Sequence, residues 1–326
     1  MREDFQDKIF QIRENEFPEF ALELFQFQFE NNPIYREYAK NLGKVPDKIK
    51  EISAIPFLPV DFFKTHSIQT TSFEPSLIFE TSGTVRQSPG RHLVKDVTLY
   101  RNSFVKGFEK FYGPVTDWTI IGLLPSYLER KGSSLVFMVE ELIKESAHEK
   151  SGFYLNEFEH LFNTLQDLEK NKERTLLIGV SFALLDFADQ FPMPLDHTIM
   201  METGGMKGRR KEITRAALHD HLREKFSLVR IHSEYGMTEL LSQAYARADG
   251  LFESVPWMRV LVRHEDDPLL ISEHGAGLVN IIDLANIHSC AFIATDDIGK
   301  IYPDKKFEIL GRMDGSVLRG CSLMVV

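Results

Sequence analysis

The chain has 326 residues, a formal net charge of −10, and 43% hydrophobic and 26% charged residues. These are values of an ordinary globular protein, long enough for one large domain or two smaller ones. The negative balance argues against broad attraction to nucleic acid or anionic membrane, so any polyanion must be held by a local site. The opening MREDFQDKIF carries charge where a secretory leader needs an apolar run. No stretch reaches the roughly 18 uninterrupted apolar residues of a membrane helix. Two cysteines, Cys290 and Cys321, make neither a disulfide framework nor a metal cluster. The expectation is a cytoplasmic protein with reduced thiols, no membrane insertion and no nucleic-acid partner.

Residues 1–54 read as a helical region. In FALELFQFQFE, Leu22, Phe25 and Phe29 recur at helical spacing and Asn31, Asn32 and Pro33 end the run, although the alternation in FQFQF also fits a strand. IPFLPVDFFKTHSI (55–68) is broken by proline and predicts an extended connector. A short strand, Leu77 to Glu80, leads into FETSGTVRQSPGRH (79–92). Strands and helices then alternate. WTIIGLLP, TLLIGV, HTIMMET and LVRIHSEYG (228–236) are expected strands; DVTLYRNSFVKGFEKFYG, LNEFEHLFNTLQDLEKNK and GRRKEITRAALHDHLREKF are expected helices. This alternation predicts an α/β fold with a largely parallel sheet flanked by helices, an α/β nucleotide-binding core over 55–249. Beyond Gly250 the strands shorten and turns crowd in, which predicts a β-rich subdomain over 250–311 and a short tail, 312–326, carrying Cys321.

Three loops that follow strands, 80–92, 203–208 and 235–239, are rich in small or polar residues, so they are expected to converge on one site at the strand ends. In the first, Thr81, Ser82, Gly83 and Thr84 offer amides and hydroxyls, while Arg86, Arg91 and His92 offer charge-assisted donors. Such a cradle suits phosphate. It is not a Walker loop, and the same composition also makes a surface turn. In HSEYGMTELLSQAY (232–245), Tyr235 is suited to stack on a base, Thr238 to bind phosphate and Glu239 to hold Mg²⁺ at the head of a helix. Alone, the segment reads equally as a strand end and a helix start, and His232 as a core histidine. In ATDDIGKI and GRMDGSVLRGCSLMVV, Asp297 is suited to accept ribose hydroxyls and Arg312 to reach ribose or phosphate; individually both are turn residues.

Taken in order, TSGT, the pair Gly204 and Gly205, YGMTE, TDDIG and GRMDG resemble the motifs of adenylate-forming enzymes, from about residue 55 onward. IPFLPVDFFKTH, FETSGT, LLPSYLERKGSSLVFM, TGGMKGRRKEI and RGCSLMVV narrow the resemblance to the acyl-protein synthetase (LuxE) family. The resemblance implies an adenylate-forming N-terminal domain fold. ATP and Mg²⁺ would serve as cofactors and a carboxylic, fatty acid as substrate, activated as acyl-AMP. It implies Thr81, Ser82, Gly83, Thr84 and Arg86 as the phosphate loop and Gly204, Gly205, Tyr235 and Gly236 as nucleotide contacts. Thr238 and Glu239 would meet phosphate and Mg²⁺, Asp297 the ribose and Arg312 the ribose-phosphate side. Cys321 would take the acyl group as a thioester and pass it to a reductase or carrier partner.

The sequence departs from the wider superfamily in three places. The loop lacks its lysine, Asp296 stands where a Thr-Gly-Asp motif has glycine, and only about fifteen residues follow Gly311, so a full C-terminal domain is expected to be missing. Arg319, two residues before Cys321, would lower its thiol pKa if it lies near the sulfur. Cys290, among Ser289, Ala291, Phe292 and Ile293, reads as core. Three other readings stay open: an acyl-CoA or aryl-CoA ligase of the phenylacetate-CoA ligase type, a non-catalytic relative, and a serine acyl hydrolase using Ser181 in GVSFA, which lacks the glycine of a nucleophile elbow at Ala183.

Overall fold

The computed structural model describes residues 5–81, 89–125, 132–155, 157–204 and 213–313. The chain opens with helices α1 (Phe5–Lys8), α2 (Phe17–Asn31) and α3 (Pro33–Asn41). FQFQF lies inside α2, which buries Phe17, Phe20, Ala21, Leu24, Phe25 and Gln28. Helical spacing wins over the two-residue alternation because these positions share one stripe against the core. Asn32 separates α2 from α3: its side chain accepts the Tyr35 amide, and Pro33 fills the first helical position. The expected extended connector is more ordered than its prolines suggest. It holds a strand β1 (Leu58–Pro59) and one helical turn, α4 (Phe62–Thr65).

Strands β2 (Leu77–Glu80) and β3 (Arg91–Val94) pair as an antiparallel hairpin apart from the main sheet. Then follow α5 (Val97–Tyr112), β4 (Thr119–Leu123), α6 (Ser134–Ser146), β5 (Gly152–Phe153), α7 (Phe158–Lys170), β6 (Thr175–Gly179), α8 (Ser181–Gln190), β7 (Thr198–Glu202), α9 (Arg215–Phe226) and β8 (His232–Tyr235). Strands β5, β4, β6, β7 and β8 lie side by side in that order, all parallel. Every residue of β4 and β6 is buried, as expected of strands covered on both faces. The last expected strand is shorter than its apolar run: Val229 is 90% exposed and pairing starts at His232.

Beyond β8 the sheet turns antiparallel through β9 (Ala244–Ala246), β10 (Phe252–Ser254), β11 (Met258–Arg263), β12 (Ile271–Ser272), β13 (Gly275–Asp283), β14 (Phe292–Ile301) and β15 (Phe307–Arg312). The order β12-β11-β13-β14-β15-β10-β9-β8 joins these strands to the parallel set in one sheet, with β1 lying parallel to β14. Among the described residues, no helix is long and apolar enough to cross a membrane.

The helix expected after Tyr235 does not form. Buried Asp283, at the end of β13, accepts the Leu241 amide at 2.8 Å, the Ser242 amide at 3.1 Å, the Ser242 hydroxyl at 2.6 Å and the Ala285 amide at 3.1 Å. Amides committed to a carboxylate cannot enter a helical ladder, so 236–243 runs irregularly into β9. Burial pushes the Asp283 carboxyl up to about 6 against the pull of those bonds. Asp283→Ala would leave all four donors without their acceptor in the interior. It is expected to cost about 3 to 5 kcal/mol in urea unfolding, with Asp283→Asn milder. A loss below about 1 kcal/mol for Asp283→Ala would contradict this role.

Candidate functional site

The parallel strands end on one edge of the sheet, where Val180 follows β6, Thr203 and Gly204 follow β7, and Gly236 follows β8. Carboxyl edges of this kind are where α/β sheets form ligand crevices. Gly204 has φ +75°, a left-handed conformation suited to glycine. Its amide donates to Glu202 Oε2 at 2.8 Å and its carbonyl accepts the Ser181 amide at 2.9 Å. Gly236 has no room for a side chain: a Cβ there would sit 2.6 Å from Glu234 Oε1.

The loop between β2 and β3 closes against this edge. The Thr81 amide donates to the Gly90 carbonyl at 2.9 Å, and the Gly90 amide donates to Thr81 Oγ1 at 2.7 Å. A Cβ on Gly90 would lie 3.3 Å from Glu239 Oε1, so the Glu239 carboxyl rests against the base of the loop. His92 on β3 adds a second tie, with Nδ1 donating to the Thr238 carbonyl at 2.8 Å and Nε2 lying 3.2 Å from Asn286 Oδ1. Asn286 Nδ2 in turn donates to the Glu239 carbonyl at 2.8 Å.

A further segment, carrying Asp297 and Arg312, reaches this edge at Tyr235. Its buried hydroxyl donates to Asp297 Oδ2 at 2.7 Å, and its ring sits 5.9 Å from those of both Phe252 and Phe307. Asp297 on β14 is paired in register with Arg312 on β15, whose Nε lies 3.8 Å from Asp297 Oδ1. Arg312 also lies 3.9 Å from Asp296, and the Met313 amide donates to the Asp296 carbonyl. Tyr235, Asp297 and Arg312 are thus joined by short contacts, the Glu239 carboxyl sits against the base of the Thr81 loop and feels the charges of Arg312 and Asp297, and Gly236 and Thr238 lie on the chain between Tyr235 and Glu239, with Gly204 at the neighbouring strand end. Ser82, Gly83, Thr84, Arg86, Gly205, Arg319 and Cys321 lie outside the described residues.

Of the expected charge donors on the loop, His92 does not carry charge at neutral pH. His92 is buried, and burial lowers its pKa to about 4 against the pull of the Thr238 carbonyl and Asn286, so at neutral pH its single N–H ties the loop to Thr238 rather than supplying charge. Arg91 is half-exposed and lies 3.8 Å from Glu80 across the hairpin. Among the described residues, the cations whose fields act on Glu239 are Arg312 and Lys64 of α4. Lys64 carries no signal of its own in the sequence, although it stands inside IPFLPVDFFKTH. Asn286, Asp283 and Glu234 were missed as well, since one polar residue in an apolar strand end or turn leaves no periodic signal. Burial, with Glu202 nearby, pushes the Glu234 carboxyl up to about 8.

Cys290 is core: fully buried, with its thiol pushed up to about 12 by burial. His232 is buried against the Tyr112 hydroxyl at 3.1 Å. Ser181 begins α8 with its buried hydroxyl 3.5 Å from Glu202, and no histidine is bonded to it among the described residues. That is not the pairing of a nucleophile with its base. Glu202 itself is engaged: burial would raise its pKa, but His219, Arg215, Ser233 and the Gly204 amide hold it at about 2.

Glu239 is the group best suited to a metal ion. It is 4% exposed, and among the described residues no cation lies within ion-pair distance of its carboxylate. Burial first of all raises it to about 7, against its own backbone amide, Arg312 and Lys64, and with help from Asp297. Among the described residues no three His, Cys, Asp or Glu side chains cluster to hold a metal ion. The linkage has a definite sign. A carboxyl raised from 4.5 to about 7 by folding favours the folded state while protonated, and that contribution is lost as pH rises through 7. Glu239→Gln removes the penalty. Relative to wild type it is expected to gain about 2 to 3 kcal/mol in urea unfolding between pH 5 and pH 8. An unchanged difference across that range would contradict the burial of an unpaired carboxylate.

No family model matches the chain. In sequence it is 24% identical over 327 residues, 92% of this chain and 85% of the relative, to the long-chain-fatty-acid–luciferin-component ligase of Aliivibrio fischeri. In structure it is similar to 2-hydroxyisobutyryl-CoA ligase in complex with 2-HIB-AMP and CoA, at a TM-score of 0.65 and 12% identity over 95% of this chain and 71% of that one. It is also similar to ATP-bound MatB from Rhodopseudomonas palustris, at a TM-score of 0.54 and 18% identity over 74% of this chain and 50% of that one. The chain therefore spans about half the length of MatB. Its fold is that of the adenylate-forming enzymes, and its sequence is similar to the acyl-protein synthetases.

Proposed function

We propose that the chain uses this fold to activate a carboxylic acid as an acyl-adenylate and passes the acyl group to Cys321 as a thioester. The likeness to the A. fischeri ligase favours a fatty acid. The observation that carries the reading is the Tyr235–Asp297–Arg312 contact, with Glu239 lying in the field of Arg312 and Asp297 and against the base of the Thr81 loop. In this reading adenine lies beside Tyr235 and the two glycines Gly204 and Gly205. Asp297 accepts the ribose hydroxyls. The hydroxyls and amides of Thr81, Ser82, Gly83 and Thr84, with Thr238, donate to the phosphates, and Arg86 adds charge. Lys64 and Arg312 supply the positive field that a loop lysine supplies elsewhere.

A carboxylate reacts poorly with a thiol because its leaving group is poor. One acid oxygen bonds to the α-phosphorus, the bond from that phosphorus to the bridging oxygen breaks, and pyrophosphate leaves. Preorganised donors aimed at the phosphate oxygens are each worth about 3 to 4 kcal/mol to such a step, and holding the acid against phosphorus adds a proximity term. Mg²⁺ fits Glu239 and would neutralise charge on the same oxygens. The Cys321 thiol then gives up its proton, helped by Arg319, and its sulfur attacks the acyl carbon as AMP leaves. A reductase or carrier thiol downstream is the chemistry that would consume the thioester.

The full chain incubated with ATP, Mg²⁺ and radioactive fatty acid is expected to become labelled, with the label stable to acid, released by hydroxylamine and absent from Cys321→Ser. Normal labelling of the serine variant would overturn the acceptor assignment. A requirement for CoA, with Cys321→Ser unaffected, would favour a CoA ligase. Asp297→Ala removes a charged acceptor and is expected to raise the KM for ATP by roughly 10- to 100-fold. An unchanged KM would contradict the ribose role.

A further inference from the structure

The opposite edge of the parallel strands carries a feature that the nucleotide reading does not use. Arg174 immediately precedes β6, Arg230 precedes β8 by two residues, and Arg247 immediately follows β9. Because β9 runs antiparallel to β8, all three positions fall at the amino-terminal edge of the parallel set. They line one cavity of about 250 Å³ together with Phe111, Trp118 and His232.

The charges there are out of balance. Arg174 lies 4.3 Å over the Trp118 ring, 3.5 Å from Asp117, and donates to the Tyr112 carbonyl. Arg247 is 3.2 Å from Glu253. Arg230 has no carboxylate within ion-pair distance among the described residues. Three guanidinium groups thus face one cavity with two carboxylates between them, in a chain whose net charge is −10. Buried His232 feels the excess: burial, then Arg230 and Arg247, then His219, hold its pKa down to about 4. The Tyr112 hydroxyl is bonded to its Nδ1.

We infer that this cavity is a second anion site, built for the phosphate group of a small molecule. Planar guanidinium forks bind phosphate oxygens in bidentate fashion and are less strongly hydrated than lysine ammonium groups. Phe111 and Trp118 give the cavity an aromatic wall, and its volume suits a phosphate with a small substituent rather than a folded peptide segment. β8 starts at His232 in this cavity and ends at Tyr235, hydrogen-bonded to Asp297, so one four-residue strand joins the two sites. The inference does not depend on the nucleotide reading.

The full chain carrying isotope-labelled histidine is to be titrated by NMR with inorganic phosphate, with acetate and chloride as controls at equal ionic strength. Phosphate is expected to shift the His232 ring signals saturably and to raise the His232 pKa by about one unit, because a bound anion favours the charged ring. Arg230→Gln and Arg247→Gln alter exposed side chains and should fold; each is expected to weaken the phosphate effect by about tenfold or more. Phosphate behaving like chloride would overturn the site. Equal phosphate response in both arginine variants would do the same, since binding then lies elsewhere. An equal saturable response to acetate would overturn the phosphate assignment.

Discussion

The arrangement at the carboxyl edge depends on one turn, 283–286, between two antiparallel strands. Asp283 takes the amides of Leu241 and Ser242, and Asn286 holds the Glu239 carbonyl while its Oδ1 lies against His92. Gln28 of α2 donates to the carbonyls of Asn286 and Ile287, so the turn is backed by the N-terminal helices. A buried carboxylate satisfied by several backbone amides is expensive to disturb. The segment carrying Thr238 and Glu239 is therefore irregular and yet closely specified, as a site must be if its donors and its lone carboxylate are to be aimed before a ligand arrives.

That constraint also explains what the sequence did and did not disclose. The parallel half was legible because buried strands read as apolar runs between amphipathic helices: β4, β6 and β7 fall inside TLLIGV and its two counterparts. Tyr235, Thr238, Glu239, Asp297 and Arg312 were legible only as ordered motifs, since each alone reads as a turn residue. Thr238 and Glu239 are tied through His92 and Asn286, which have no periodicity. The helix expected after YGMTE failed for the same reason, because local propensity yielded to an acceptor about forty residues away in sequence. His92 looked cationic beside two arginines, and only its burial shows that the ring is a tie.

Electrostatically, the two edges of the parallel strands differ. At the carboxyl edge, buried Glu234 and Glu239 have raised carboxyl pKa values, and among the described residues Arg312 and Lys64 are the cations acting on Glu239. At the amino edge, guanidinium groups outnumber their carboxylates. β8 spans the two, with His232 at one end and Tyr235 at the other.

The central claim is that an acid and ATP react at the carboxyl edge before any thiol takes part. Exchange of radioactive pyrophosphate into ATP isolates that step. The account predicts exchange that requires both Mg²⁺ and the carboxylic acid and that persists at full rate in Cys321→Ser. Folded protein that shows no exchange with any of a series of fatty acids, or exchange that vanishes with the cysteine, would contradict it.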